Sequence, residues 1–207
     1  MKISTISLLV SFSALLLASC GQHGHIKWAL EAIQNYKNTA EMSDQTSRMK
    51  AIESALESQR GITAIVSTYQ RTDDDAFKER LLFVCWNLTF SATPEIRERM
   101  AVFLQNVLEK ETKDKTLRKW AATDSAYCAL PSLEGVYSTM LKSSDPAMWL
   151  PGAAGLWRIK SERAVKMLIN RIDVRRTNAD FAIDVRWMVS QDSNQWTGAV
   201  LQKLNSK

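Results

Sequence analysis

The chain has 207 residues, 45% of them hydrophobic and 24% charged, with a formal net charge of +5. This is too apolar for a disordered segment and long enough for one domain with a real core. A charge of that size is compatible with an anionic surface but does not argue for nucleic acid, which is not expected among the partners.

Met1-Lys2 is followed by an uncharged run from Ile3 to Leu17 that includes five serines or threonines. A short basic start before an apolar run reads as a secretory signal peptide. Spanning a bilayer takes roughly 20 predominantly apolar residues, so a permanent membrane helix is the poorer reading. The run ends Leu17-Ala18-Ser19-Cys20-Gly21, which resembles the bacterial lipobox: an aliphatic residue, two small residues, then cysteine. The resemblance implies a bacterial lipoprotein. Its signal peptide covers residues 1–19, with signal peptidase recognition at Leu17, Ala18 and Ser19 and lipidation at Cys20 by acyl chains of the palmitate kind. Each buried methylene contributes about 0.8 kcal/mol, so two or three chains anchor almost irreversibly. Gly21 in place of Asp resembles the type sorted to the outer membrane. The expected location is therefore the cell membrane, lipid-anchored, and in a Gram-negative cell the outer membrane facing the periplasm. The expected partners are the lipid bilayer, through the acyl chains, and an envelope protein.

Cleavage after Ser19 would leave 188 residues and remove Lys2, lowering the net charge to +4. Residues 20–25 then read as the lipidated cysteine and a short polar tether, and 26–207 as a single all-α domain. His23 and His25, the two histidines of the chain, both lie in that tether. Two ligands make at most half a zinc site. The body itself contains no histidine, which excludes Ser-His-Asp and Cys-His catalysis within it. No glycine-rich phosphate loop, GxSxG or HExxH occurs either, so no cofactor, metal or catalytic residue is expected.

From Ile26 onward the apolar residues recur at helical spacing. Met49, Ile52 and Leu56 share one face. Ile62, Ile65, Val66 and Tyr69 share another, and Leu81, Leu82, Cys85 and Leu88 a third; Val102, Val107 and Leu108 belong to a fourth. Thr93-Pro94 and Asp145-Pro146 place a capping side chain before a first-turn proline, and Ser161 and Ser193 are further candidate caps. Asp73-Asp74-Asp75 lacks the spacing of a calcium loop and reads as a helix start whose charges offset the dipole. The charged run Glu109 to Lys119 reads as a solvated loop. Cys85 and Cys128 are candidates for a disulfide in an oxidising compartment, although apolar neighbours favour two small buried hydrophobes.

Four segments, 77–108, 117–142, 148–172 and 181–204, each read as a pair of helices. Aligning Leu88, Leu130, Ile159 and Val189 spaces them 42, 29 and 30 residues apart. The third unit runs from Asp145 to Ile159 and then from Ser161 to Asp173, and it is similar to a HEAT-like repeat. It has small residues at Ala153, Ala154 and Gly155, where two helices meet closely, and Ala164, Leu168 and Ile172 along the second helix. The resemblance implies a short α-solenoid of HEAT-like helical pairs, with an irregular multi-helix bundle as the alternative. Trp86, Trp157 and Trp187 fall at equivalent repeat positions and are expected in the core, whereas Trp28, Trp149 and Trp196 have less fixed environments. Arg171, Arg175 and Arg176 form a candidate anion-binding patch, weighed against ordinary positive charge at a helix C-terminus. The functional expectation is a non-catalytic binding or assembly scaffold in the cell envelope. The alternative is a cell-wall or envelope hydrolase using a carboxylate pair.

Overall fold

A computed structural model describes residues 21–111, 113–175 and 178–206, with side chains at all of these except 173–175. The expected signal peptide, with Leu17, Ala18 and Ser19, and the expected lipidation site Cys20 lie outside the described residues, as do Arg176 and the side chain of Arg175. Among the described residues the regular elements are helical and there is no strand. The protein is all-α. The described residues fall into two compact units, divided along the chain between Val84 and Cys85.

The first unit holds α1 (21–34), α2 (Thr39–Asp44), α3 (Thr46–Leu56), α4 (Gln59–Arg71) and the opening turns of α5 (Asp75–Ser91). Residues 21–25, expected as a tether, are helical: they contain neither proline nor a β-branched residue to interrupt the turn. Their side chains are exposed, and the inward face of α1 begins at Ile26 and continues through Ala29, Ala32 and Ile33. The buried guanidinium of Arg80 closes the C-terminal end of α1. It donates from Nε to the Ile33 carbonyl (3.0 Å) and from its two Nη atoms to the carbonyls of Lys37 and Gln34 (3.4 Å each). The Ile33 and Gln34 carbonyls belong to the last turn of α1, whose acceptors a helix leaves short of internal partners, and Lys37 lies in the turn that follows.

The acidic run opens α5 as expected. Asp74 accepts from the Phe77 amide at 3.0 Å, and Asp75 sits in the first turn, 3.5 Å from Lys78 Nζ. Three helical faces read from the sequence are buried at Met49, Ile52 and Leu56, at Ile62, Ile65 and Tyr69, and at Leu81, Leu82, Cys85 and Leu88.

The second unit holds the rest of α5, then α6 (Pro94–Lys110), α7 (Lys115–Cys128), α8 (Glu134–Lys142), α9 (Trp149–Ile159), α10 (Glu162–Arg175), α11 (Ala179–Gln191) and α12 (Thr197–Asn205). Short 3₁₀ turns, Pro131–Leu133 and Pro146–Met148, lead into α8 and α9. Within this unit α7 packs on α9 and α9 on α11, while α8 packs on α10 and α10 on α12. From α7 to α12, the pairs α7/α8, α9/α10 and α11/α12 therefore meet in succession through both helices, while α6 packs on α7.

Several local expectations shift. The buried face of α6 is Ile96, Met100, Phe103, Leu104 and Val107, and Val102 is exposed on the opposite side. The interruption between α6 and α7 is only residues 111–114, because Asp114 accepts from the Thr116 and Leu117 amides (2.8 and 2.9 Å) and starts the next helix early. Ser161 caps α10 through the Ala164 amide at 3.1 Å. Ser193 is no cap: Asn194 Oδ1 accepts from Trp196 N (2.9 Å) at the start of α12.

Two helices end on left-handed residues that are not glycine, Ala129 after α7 (φ 52°) and Lys160 after α9 (φ 54°). A Cβ in this region costs roughly 1–2 kcal/mol, whereas glycine adopts it freely. Ala129→Gly is therefore expected to stabilise the chain by about 0.5–1 kcal/mol, less than the full relief because glycine loses more entropy on folding. Urea denaturation of the two proteins measures it.

Candidate functional site

The second unit carries two features with chemistry, one inside and one on its surface. Inside, Asp124 lies on α7 with no exposure, and neither carboxylate oxygen has a hydrogen-bond partner. Burial pushes its carboxyl well above the usual carboxylate range, so the neutral acid is the form the core holds. Cys85 on α5 and Cys128 at the end of α7 are close enough to feel it. Burial raises both thiols, Asp124 adding to the effect only where it ionises, and Cys128 is pushed up to about 12. The nearby Arg97 guanidinium pulls the other way on Cys128. Both cysteines are buried free thiols. A buried thiol of raised pKa is a poor nucleophile, since the thiolate is the reactive form. Packing is the role this environment suits.

Around this core the helices are held at fixed contacts. The Tyr137 hydroxyl donates to the Ser125 carbonyl, tying α8 to α7, and burial raises its phenol above the ordinary tyrosine value. Glu134 takes Arg163 Nε at 3.0 Å and the Ser161 hydroxyl at 3.1 Å, joining α8 to the start of α10. Trp157 Nε1 donates to the Asp192 carbonyl (3.2 Å), and Lys160 Nζ meets the Asp192 carboxylate (2.9 Å).

On the surface, α5, α7 and α9 together present an aromatic cluster crowned by an arginine. The Phe90 ring is 63% exposed; it meets Trp86 edge-on at 5.4 Å and Tyr127 at 5.3 Å between centroids. The Arg158 guanidinium lies over the Tyr127 ring, 3.8 Å from its centroid. On α11, Ile183 (59% exposed) and Trp187 (67% exposed) stand one turn apart. Trp187 thus leaves the core position assigned to it from the repeat alignment, whereas Trp157 at the matching position is fully buried and Trp86 half-buried. The exposure of Phe90 was legible only as an aromatic at the end of an apolar run, a weak signal on its own.

The other candidates are dispersed. Arg171 is half-buried on α10, and its two proposed partners lie outside the described side chains. Three surface cavities of this unit contain one carboxylate each: Glu109 between α6 and α8, Glu162 on α10 and Asp145 beside α7. No group of three histidines, cysteines or acids able to hold a metal occurs among the described residues. Nor is any helix among them long and apolar enough to cross a membrane. No family model, curated protein or solved structure matches the chain.

Proposed function

We propose that this protein is a lipid-anchored bacterial lipoprotein whose helical body is a non-catalytic docking scaffold for another protein of the cell envelope. The observation that carries the scaffold reading is the Phe90–Trp86–Tyr127 cluster under Arg158. An exposed ring, Phe90, packed edge-on against two half-buried aromatics and flanked by an arginine has the composition of an interface hot spot. Ile183 and Trp187 form a second exposed apolar pair, on α11. The pairwise succession of helices from α7 to α12 supports stacked HEAT-like repeats, whose extended faces suit protein partners. The anchor reading rests on Leu17-Ala18-Ser19-Cys20 and on the apolar run before it.

The test uses the full chain in its native membrane. Cys20→Ala is expected to abolish incorporation of a fatty-acid analogue; equal labelling of variant and wild type rejects the anchor. A photocrosslinking residue at Phe90 or Trp187 is expected to give one discrete adduct that the same residue at exposed Asn170 on α10 does not give. Identical adduct patterns at all three positions reject the scaffold surface.

A further inference from the structure

The helical state of residues 21–25 changes how far the body can stand from its anchor. An extended stretch from Cys20 to Ile26 would reach about 21 Å, but a helix rises only about 1.5 Å per residue. One Cα step from Cys20 to Gly21 and five helical steps to Ile26 cover roughly 11 Å. Ile26 is already packed into the first unit, along with Ala29, Ala32 and Ile33 one to two turns on, and Arg80 holds the far end of the helix. The helix that follows the anchor is thus part of the folded unit and offers no slack.

The outward side of α1 carries His23, Lys27 and Glu31 at four-residue steps, with Trp28 beside them at 42% exposure. Lys27 reaches Glu31 at 3.8 Å, leaving the indole as the large apolar group of that side. A tryptophan with one wet edge and an apolar body suits the layer between headgroups and acyl chains. That layer is roughly 5–8 Å deep in each leaflet, well within reach of a side chain on the second turn of a helix rooted there.

We propose that α1 is a membrane-contacting helix, with Trp28 seated among the phospholipid headgroups of the leaflet that holds the Cys20 acyl chains, and that its rigid, short connection keeps it there. The proposal rests on the anchor reading, so acylation is measured separately. Trp28→Cys carries an environment-sensitive fluorophore; Cys85 and Cys128 are buried and will not compete for the label. The acylated full chain is reconstituted in phosphatidylethanolamine/phosphatidylglycerol vesicles containing a headgroup quencher, and mass spectrometry reports the acyl chains. A second variant carries a Gly/Ser insert of about 30 residues between Cys20 and Gly21, a coil spanning roughly 30 Å.

Blue-shifted and strongly quenched emission is expected without the insert, and several-fold weaker quenching with it. An acylated protein whose label stays weakly quenched without the insert overturns the proposal. Equally strong quenching in both variants overturns the role given to the short connection. A protein with no acyl mass removes the anchor itself, and this inference with it.

Discussion

Gly155→Ala is expected to destabilise the protein by about 1–3 kcal/mol or more, and Gly155→Val by more still. Gly155 lies on α9 against the buried ring of Tyr137 on α8. A Cβ there would stand 2.5 Å from Cγ and Cδ1 of that ring and 2.6 Å from Cε1, far inside van der Waals contact. Replacing a mid-helix glycine by alanine ordinarily gains up to about 1 kcal/mol, so the sign depends on whether Tyr137 can yield. It is poorly placed to do so. Its hydroxyl is committed to the Ser125 carbonyl on α7, and swinging the ring would break a buried hydrogen bond as well as open a void. One turn earlier, Gly152 meets the Tyr137 carbonyl and Met140 in the same way (2.8 and 2.9 Å), so the two helices cannot slide apart locally. Gly135→Ala on α8 is the control. Nothing lies within 4 Å of a Cβ at that site, and its effect should be neutral to mildly stabilising. Equal midpoints for Gly155→Ala and wild type in urea would mean that α8 and α9 do not meet at Tyr137.

The second large effect concerns pH. The folded-state pKa of Asp124 is raised, opposite to the usual carboxylate, because the core excludes water and supplies no hydrogen bond to the charged form. Above about pH 4 the unfolded chain releases this proton while the folded chain keeps it. The contribution of Asp124 to stability is therefore fully present below the unfolded value. It falls as pH rises toward the folded one, with a slope of up to about 1.4 kcal/mol per pH unit. Asp124→Asn abolishes the titration, so variant and wild type should differ increasingly as pH rises above the unfolded carboxyl value, with the variant gaining. Unfolding free energies at three pH values decide it. Parallel curves would show that a positive group reaches Asp124 and holds it ionised.

Much of the helical pattern was legible because burial on one side imposes a period of 3.6 on the sequence, and this marks α3, α4 and α5 plainly. Where it misled, a specific competitor was at work. On α6, Val102 looked like core by residue type, but the stripe through Ile96, Met100, Phe103 and Val107 is the one that faces inward, and a valine between those positions points out. In α9 the small residues marked a close contact correctly, yet its pressure points are Gly152 and Gly155, while Ala154 is half-exposed. Three adjacent small residues cannot say which of them faces the neighbour. Trp187 shows the limit of repeat alignment: equivalent positions inherit a partner only where a following helix covers them, and on this side of α11 the indole remains exposed. Asp124 was hidden for another reason. Its sequence neighbours Thr123 and Ser125 are polar, and nothing in a linear stretch shows that Cys85 and the rest of the core will close over it. The aromatic patch joins α5 to α7 and α9, a juxtaposition that exists only after folding.

Arg80 also sets an order of assembly. It lies 43 to 47 residues beyond the carbonyls it gathers at the end of α1. A chain delivered N-terminus first presents α1 long before the guanidinium that completes it, and the loop between them must close before that end of the helix is satisfied. Until then α1 is a marginal isolated helix, since about 14 residues in water barely sustain one. The first unit therefore locks only once α5 has been delivered behind it.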